Sequence, residues 1–197
     1  MPTTSETFQE MSNHNLKFFT ADECVQVVRE FDASEKKAEG TELSNPYFYR
    51  SFGTPNLPAT LVHKHFITDY IQTLYPDAVF CNTYTRSYHN TSKLGIHTDR
   101  KPLYVTLSVC MEDSDNLRWP LYVSKKEWVP ATDVLWDPNT DSLNMEYQKE
   151  FNYYVLDLGE GGLIDSRRYP HWRDPLRCRE DQRIVFTFFT FTKKEQA

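Results

Sequence analysis

Two periodicities divide the chain. From Thr20 to Phe31 apolar residues recur at helical spacing, with Cys24, Val27, Val28 and Phe31 on one stripe. Thr20-Ala21-Asp22-Glu23 in front of it has the form of a capping box. There the Thr20 hydroxyl accepts from the Glu23 amide while the Glu23 carboxylate reaches back. Phe18 and Phe19 stand where they can staple the helix entry. A second helix is predicted from Pro58, which a first turn tolerates, to a stop at Pro76. Leu61, Ile67, Tyr70, Ile71 and Leu74 form its buried face. Between the helices, 34–44 is charged and polar, a loop or a helix end, and 47–52 reads as a strand closed by Gly53-Thr54-Pro55.

From Val79 the pattern changes to alternation. Strands are predicted over 78–88, 103–111, 121–124, 153–158, 162–165 and 183–192, most of them separated by turn residues. Helices first and many short strands after imply a mainly β (α+β) fold with N-terminal helices packed on one side of the β core. The polar stretches 112–118 and 137–150 read as loops over a barrel mouth, where substrate contacts usually lie. Residues 1–15 lack apolar periodicity and are expected to form a flexible tail, leaving 16–197 as a single domain.

Composition narrows the function. Aromatic residues make up 15% of the chain, mainly Phe and Tyr, which suits pleated surfaces. A net charge of −6 offers no long-range attraction to nucleic acid or an anionic membrane, and no apolar run approaches a membrane span. Met1-Pro2-Thr3-Thr4-Ser5-Glu6 has neither the basic start nor the apolar core of a secretory signal. Cys24, Cys81, Cys110 and Cys178 form no C-x-x-C pair and read as free thiols in a reducing compartment, so a cytoplasmic location is expected.

The candidate chemistry lies in Leu94-Gly95-Ile96-His97-Thr98-Asp99-Arg100. In an extended segment His97 and Asp99 project to one face. His171 follows the turn-rich run Gly159-Glu160-Gly161-Gly162 and a short strand, which places it to face the first pair across a barrel. Two imidazoles and one carboxylate can take one face of an octahedral ion and leave the others open, as in non-haem Fe(II) oxygenases. His63 and His65, two positions apart on a helix, point in different directions and read as surface residues. Arg183 opens the last strand. A buried arginine is costly unless paired, and at the base of a metal pocket its partner would be the carboxylate of a bound ligand in a two-pronged contact. The Tyr88 hydroxyl could share that carboxylate. The plainer readings are a surface cation for Arg183 and core packing for Tyr88.

The order His-x-Asp, distal His, then a basic residue on the final strand resembles the Fe(II)/2-oxoglutarate-dependent oxygenases. Within that family it is most similar to the prolyl 4-hydroxylase-like branch. The likeness runs from Phe18-Phe19-Thr20-Ala21-Asp22-Glu23-Cys24 to the last strand. It includes the Tyr-rich approach from Tyr88 to Asp99, and Gly161-Gly162-Leu163-Ile164-Asp165 ahead of His171. The resemblance implies a double-stranded β-helix (jelly-roll, cupin-like) in which His97, Asp99 and His171 bind Fe(II). It implies 2-oxoglutarate and O₂ as cosubstrates, with Arg183 holding the distal carboxylate and Tyr88 assisting. Arg183 comes slightly later than the family's basic residue, and Val185 stands where the family has a small hydroxyl residue. Arg173 and Arg177 are therefore kept as alternative clamps.

The expected activity is a dioxygenase that hydroxylates an unactivated C–H bond of an amino acid or peptidyl residue, proline first, releasing succinate and CO₂. Trp119-Pro120-Leu121-Tyr122 departs from the branch where a Gly-rich turn is usual, which weakens transfer of substrate specificity. Arg100, Trp119, Tyr122, Arg167, Arg168, Tyr169 and Trp172 lie near the metal motifs and could receive an anionic small molecule. Two other classes fit the same residues. One is a non-catalytic cupin-like metal-binding or sensing domain, which needs no buried cation for a dicarboxylate. The other is a metal-dependent hydrolase, which needs a general base that the sequence does not offer.

Overall fold

The computed structural model describes residues 16–35, 52–128 and 146–194. In chain order the elements are Leu16–Lys17 (β1), Ala21–Glu35 (α1), Gly53–Pro55 (β2), Pro58–Leu61 (α2), Lys64–Leu74 (α3), Ala78–Tyr88 (β3) and Leu94–His97 (β4). They continue with Leu103–Asp113 (β5), Leu121–Ser124 (β6), Phe151–Tyr154 (β7), Glu160–Ile164 (β8), His171–Arg173 (β9) and Ile184–Lys193 (β10). The strands form two antiparallel sheets, β1-β8-β5-β10-β3-β2 and β4-β9-β6-β7. Facing each other, they make a mainly β jelly-roll with the helices on the outer side of the larger sheet.

The capping box forms as the sequence requires. The Glu23 amide donates to Thr20 Oγ1 (3.3 Å) and the Thr20 amide donates to Glu23 Oε2 (2.7 Å). Such a cap contributes about 1 kcal/mol. Cys24, Val27 and Phe31 are the buried stripe of α1. They join Ile67 and Ile71 of α3 and Val105, Leu107, Val109, Phe189 and Phe191 of the larger sheet in one core. The carbonyl of Gly159, a residue at φ +77° that suits glycine, accepts from the amides of Phe18 and Phe19 and ties the helix entry to the sheet.

The central strands β5 and β10 are two-faced. Val105, Leu107, Val109, Val185, Phe189 and Phe191 point to the helices, while Cys110, Ile184 and Phe186 belong to a second cluster inside the barrel. That inner cluster also holds Tyr88, Trp119, Leu156 and Leu176.

Several expected elements shift. Residues 1–15, 47–51 and 137–145 lie outside the described residues. Gly53–Pro55, expected as a closing turn, is itself a strand, because it pairs with β3 from Gly53↔Arg86 to Pro55↔Tyr84. As the edge strand, β2 tolerates its proline. The helix from Pro58 divides at Val62–His63 into α2 and α3. β7 starts earlier than expected because Phe151 to Tyr154 pair with β6, while Leu156 turns into the barrel cluster. Among the described residues no helix is long and apolar enough to cross a membrane.

Candidate metal centre

β4 and β9 bring the distant motifs together. They pair antiparallel with His97 opposite His171. A register irregularity between Leu94 and His97 lets β4 bend just before the ligand segment. The imidazole centroids are 4.2 Å apart. Asp99 lies just beyond β4, and its Oδ1 is 3.7 Å from His97 Nε2 and 3.9 Å from His171 Nε2. Donors that share one ion at about 2.1 Å each stand about 3–4 Å apart, so this spacing suits a single cation. One donor atom from each of the three residues falls within 4.8 Å of the others.

The imidazoles are held in the tautomer a metal needs. His97 Nδ1 is 2.9 Å from the Gly95 carbonyl and His171 Nδ1 is 3.1 Å from the Tyr169 carbonyl. A carbonyl only accepts, so in the neutral ring each Nδ1 carries the proton and the lone pair is left on Nε2, the nitrogen that faces Asp99. Burial, and then the neighbouring His97, hold the His171 pKa below the ordinary histidine value. His171 therefore stays neutral, as a ligand must.

Arg183 lies on the helix side of the larger sheet. Its guanidinium is bound by Asp32 of α1 (2.7 and 3.1 Å) and by Glu112 of β5 (2.8 Å). The cause is strand alternation: Arg183 shares the helix-side face of β10 with Val185, while Ile184 and Phe186 hold the interior positions. Arg183, expected to hold the distal carboxylate of 2-oxoglutarate, thus has its guanidinium taken up by the acids of the helix layer instead.

Arg173 takes the interior position instead. It follows His171 by two residues on β9, so both side chains enter the barrel. It is 3% exposed. Its guanidinium lies 4.3 Å from the Phe186 ring centroid and 4.9 Å from that of Trp119, and one Nη donates to the Trp119 carbonyl. Burial lowers its pKa to about 10, so it remains a cation at neutral pH. Among the described residues no carboxylate pairs with it. The ionisable groups that favour its charge, Tyr88 and Cys110, are themselves pushed up by burial, the thiol to about 12, and stay neutral. Tyr88 packs on Trp119 and Phe186, so it belongs to the Arg173 cluster.

The other singled-out residues divide by face. Tyr122 stacks on Trp172 at 5.4 Å on the outer side of the smaller sheet. Arg168 and Tyr169 both bond Glu127, and Arg167 Nη1 donates to the Asp99 carbonyl (3.1 Å). Arg100 and Arg177 are both exposed. His65 is exposed; His63, expected on the surface, instead packs on Phe19 and faces Glu23. All four cysteines are free.

Two residues at the site escaped the sequence reading. Thr106 Oγ1 donates to Asp99 Oδ2 (3.0 Å) and contacts Ser166 Oγ (3.0 Å). The Asp99 amide donates to the Ser166 carbonyl (2.7 Å). A signal was present: Thr106 and Ser108 alternate with Val105, Leu107 and Val109, marking the strand face that carries hydroxyls.

No protein-family model matches the chain, and no curated protein matches it in sequence. Its structure is similar to several solved ones. One is the non-heme alpha ketoglutarate dependent carbocyclase SnoK from nogalamycin biosynthesis. The TM-score is 0.72 at 12% identity, covering 98% of this chain and 87% of that one. A second is a Pseudomonas putida prolyl-4-hydroxylase, with TM-score 0.61 at 12% identity, covering 98% and 100%. A third is HygX from Streptomyces hygroscopicus with nickel, 2-oxoglutarate and hygromycin B bound. There the TM-score is 0.56 at 13% identity, covering 98% and 88%. At these identities the likeness is one of fold, and it extends over nearly the whole chain.

Proposed function

We propose that the protein is an Fe(II)/2-oxoglutarate-dependent dioxygenase. The observation that carries this reading is Arg173, a buried cation without a carboxylate partner among the described residues, placed two residues from a candidate metal ligand. A buried charge of this kind is costly unless something neutralises it. An anion with a second attachment point at the metal would do so, and 2-oxoglutarate has that chemistry. Two residues along a strand separate Cα atoms by about 6.7 Å, a span suited to a short dicarboxylate. A non-catalytic metal-binding domain has no use for such a cation.

His97 and His171 would bind Fe(II) through Nε2 and Asp99 through Oδ1, leaving three positions open. The group supplies oxidative decarboxylation of 2-oxoglutarate by O₂, giving succinate, CO₂ and the oxidising power for an unactivated C–H bond. The chain's own part is orientation and dryness. The Gly95 and Tyr169 carbonyls fix the imidazoles, Arg173 receives the far carboxylate, and Leu156, Ile184 and Phe186 keep water from that end. The Asp99 carboxylate fills the place a bound halide would need, so hydroxylation is expected over halogenation; a chlorinated product formed in chloride buffer contradicts this. Free or peptidyl proline is the first substrate to assay, in keeping with the prolyl-4-hydroxylase among the structural neighbours. We take residues 16–197 as one catalytic domain, and four free thiols suit a reducing, cytoplasmic setting.

The test is anaerobic addition of Fe(II) and then 2-oxoglutarate, followed by visible absorption. A metal-to-ligand charge-transfer band is expected. Its absence at saturating concentrations overturns the assignment.

A further inference from the structure

We propose that Thr106, backed by Ser166, is a positioning residue that makes Asp99 a one-oxygen ligand and so keeps a coordination place open. The proposal rests on the metal-site reading above. A carboxylate has two equivalent oxygens and a soft terminal torsion, so nothing intrinsic stops it from chelating an ion with both. In this site the two oxygens are made unequal. Oδ1 faces both imidazole Nε2 atoms, at 3.7 and 3.9 Å. Oδ2 is occupied by the Thr106 hydroxyl at 3.0 Å.

The hydroxyl chain has one possible direction. Thr106 has a single hydroxyl proton and gives it to Asp99, so the proton between Thr106 and Ser166 comes from Ser166. Ser166 therefore donates to Thr106, Thr106 donates to Asp99, and the Ser166 carbonyl receives the Asp99 amide. Ser166 is fully buried and Thr106 nearly so, which removes competing water. The brace joins β5 to the loop after β8 and holds Asp99 by its side chain and its backbone at once. With both oxygens on the ion, the protein would fill four of six positions. A chelating cosubstrate would then leave none for O₂.

Co(II) binding to the metal-free protein, without cosubstrate, tests this by affinity and visible spectrum. Thr106→Val keeps the branched shape and removes the donor. It is expected to weaken Co(II) binding 10- to 100-fold, the usual cost of losing a group that orients a ligand, and to change the Co(II) absorption envelope. Thr106→Ser restores both. Ser166→Ala, which leaves the direct donor in place, weakens binding several-fold and carries the test if Thr106→Val does not fold. Wild-type affinity and spectrum in Thr106→Val, failure of Thr106→Ser to restore them, or, where Ser166→Ala carries the test, wild-type binding in it, overturns the proposal. No Co(II) binding by the wild type at all overturns the metal site itself, and this proposal with it.

Discussion

Arg173 and Phe186 meet inside the barrel, the guanidinium carbon 4.3 Å from the ring centroid. The final strand presents an aromatic ring to the interior, and the cation enters from β9, the strand of the distal histidine. This arrangement explains how the pocket keeps a charge while the inner face of β10 stays apolar. It also predicts opposite effects of one substitution on two measurements. Arg173→Met fills similar volume without charge. The metal-free protein should gain about 1–2 kcal/mol in denaturant unfolding, because an unneutralised buried charge is removed. Affinity for 2-oxoglutarate should fall by roughly 100-fold or more, the loss of a charge-assisted contact of about 2.7 kcal/mol. A variant that loses stability and keeps cosubstrate affinity would show Arg173 to be a structural residue.

How far the sequence led is clearest at the two arginines. The capping box at Thr20, the strand over 78–88 and the convergence of His97, Asp99 and His171 were legible. Each rests on a local pattern, or on an ordered motif that strand pairing then closes. The role of Arg183 was not legible. The run Arg183-Ile184-Val185-Phe186-Thr187-Phe188-Phe189 carries large apolar residues on both faces, since one faces the helices and the other the barrel. Alternation alone cannot say which face is inner. That depended on the inner cluster around Tyr88 and on the acids of α1, which are distant in sequence. The Thr106–Ser166 brace was hidden for the same reason, as its two hydroxyls come from β5 and from the loop after β8, which are distant in sequence.

Arg183 supplies the contrasting variant. It bridges Asp32 on α1 and Glu112 on β5, with Glu35 at 3.9 Å. Arg183→Ala leaves these acids facing one another around a half-buried site. Stability should drop by about 1–3 kcal/mol, lowering Tm by several degrees for a chain of this size. Affinity for 2-oxoglutarate should stay within about twofold of wild type, since no path connects this cluster to the pocket except through the sheet. A large loss of cosubstrate affinity with an unchanged Tm would return the clamp to Arg183.

Metal binding should be visible as stabilisation. The three donors converge only in the folded chain, so an ion that occupies them favours the native state. At a free Ni(II) concentration about 100 times Kd the gain is about 2.7 kcal/mol, or a Tm rise of roughly 5–10 °C. Chelation should reverse it. His97→Ala and His171→Ala should each abolish the rise, while His65→Ala, on the exposed face of α3, should leave it intact. A rise that survives loss of either proposed ligand would place the ion elsewhere.

Asp165 should give the protein a pH signature that its Asn variant lacks. It follows β8 and is buried, and burial pushes its carboxyl up to about 6. The Arg168 amide, donating to Oδ1 at 3.2 Å, offsets only part of that cost. Between its ordinary value near 4 and about 6, the folded chain keeps a proton that the unfolded chain has released. The stabilising contribution of this group is therefore fully present below about pH 4 and is lost as pH rises through 6. Asp165→Asn preserves the acceptor for the Arg168 amide and removes the charge. At pH 7 the metal-free variant should be more stable than wild type by up to roughly 3 kcal/mol, and the difference should shrink toward zero near pH 4. The lowered pKa of His171 acts in the opposite sense in both proteins, costing stability as pH falls, and so cancels in the comparison. Urea unfolding of the two proteins across pH 4–7 measures the difference directly. Parallel stability curves would mean that Asp165 titrates as an ordinary carboxylate and that its burial carries no electrostatic cost.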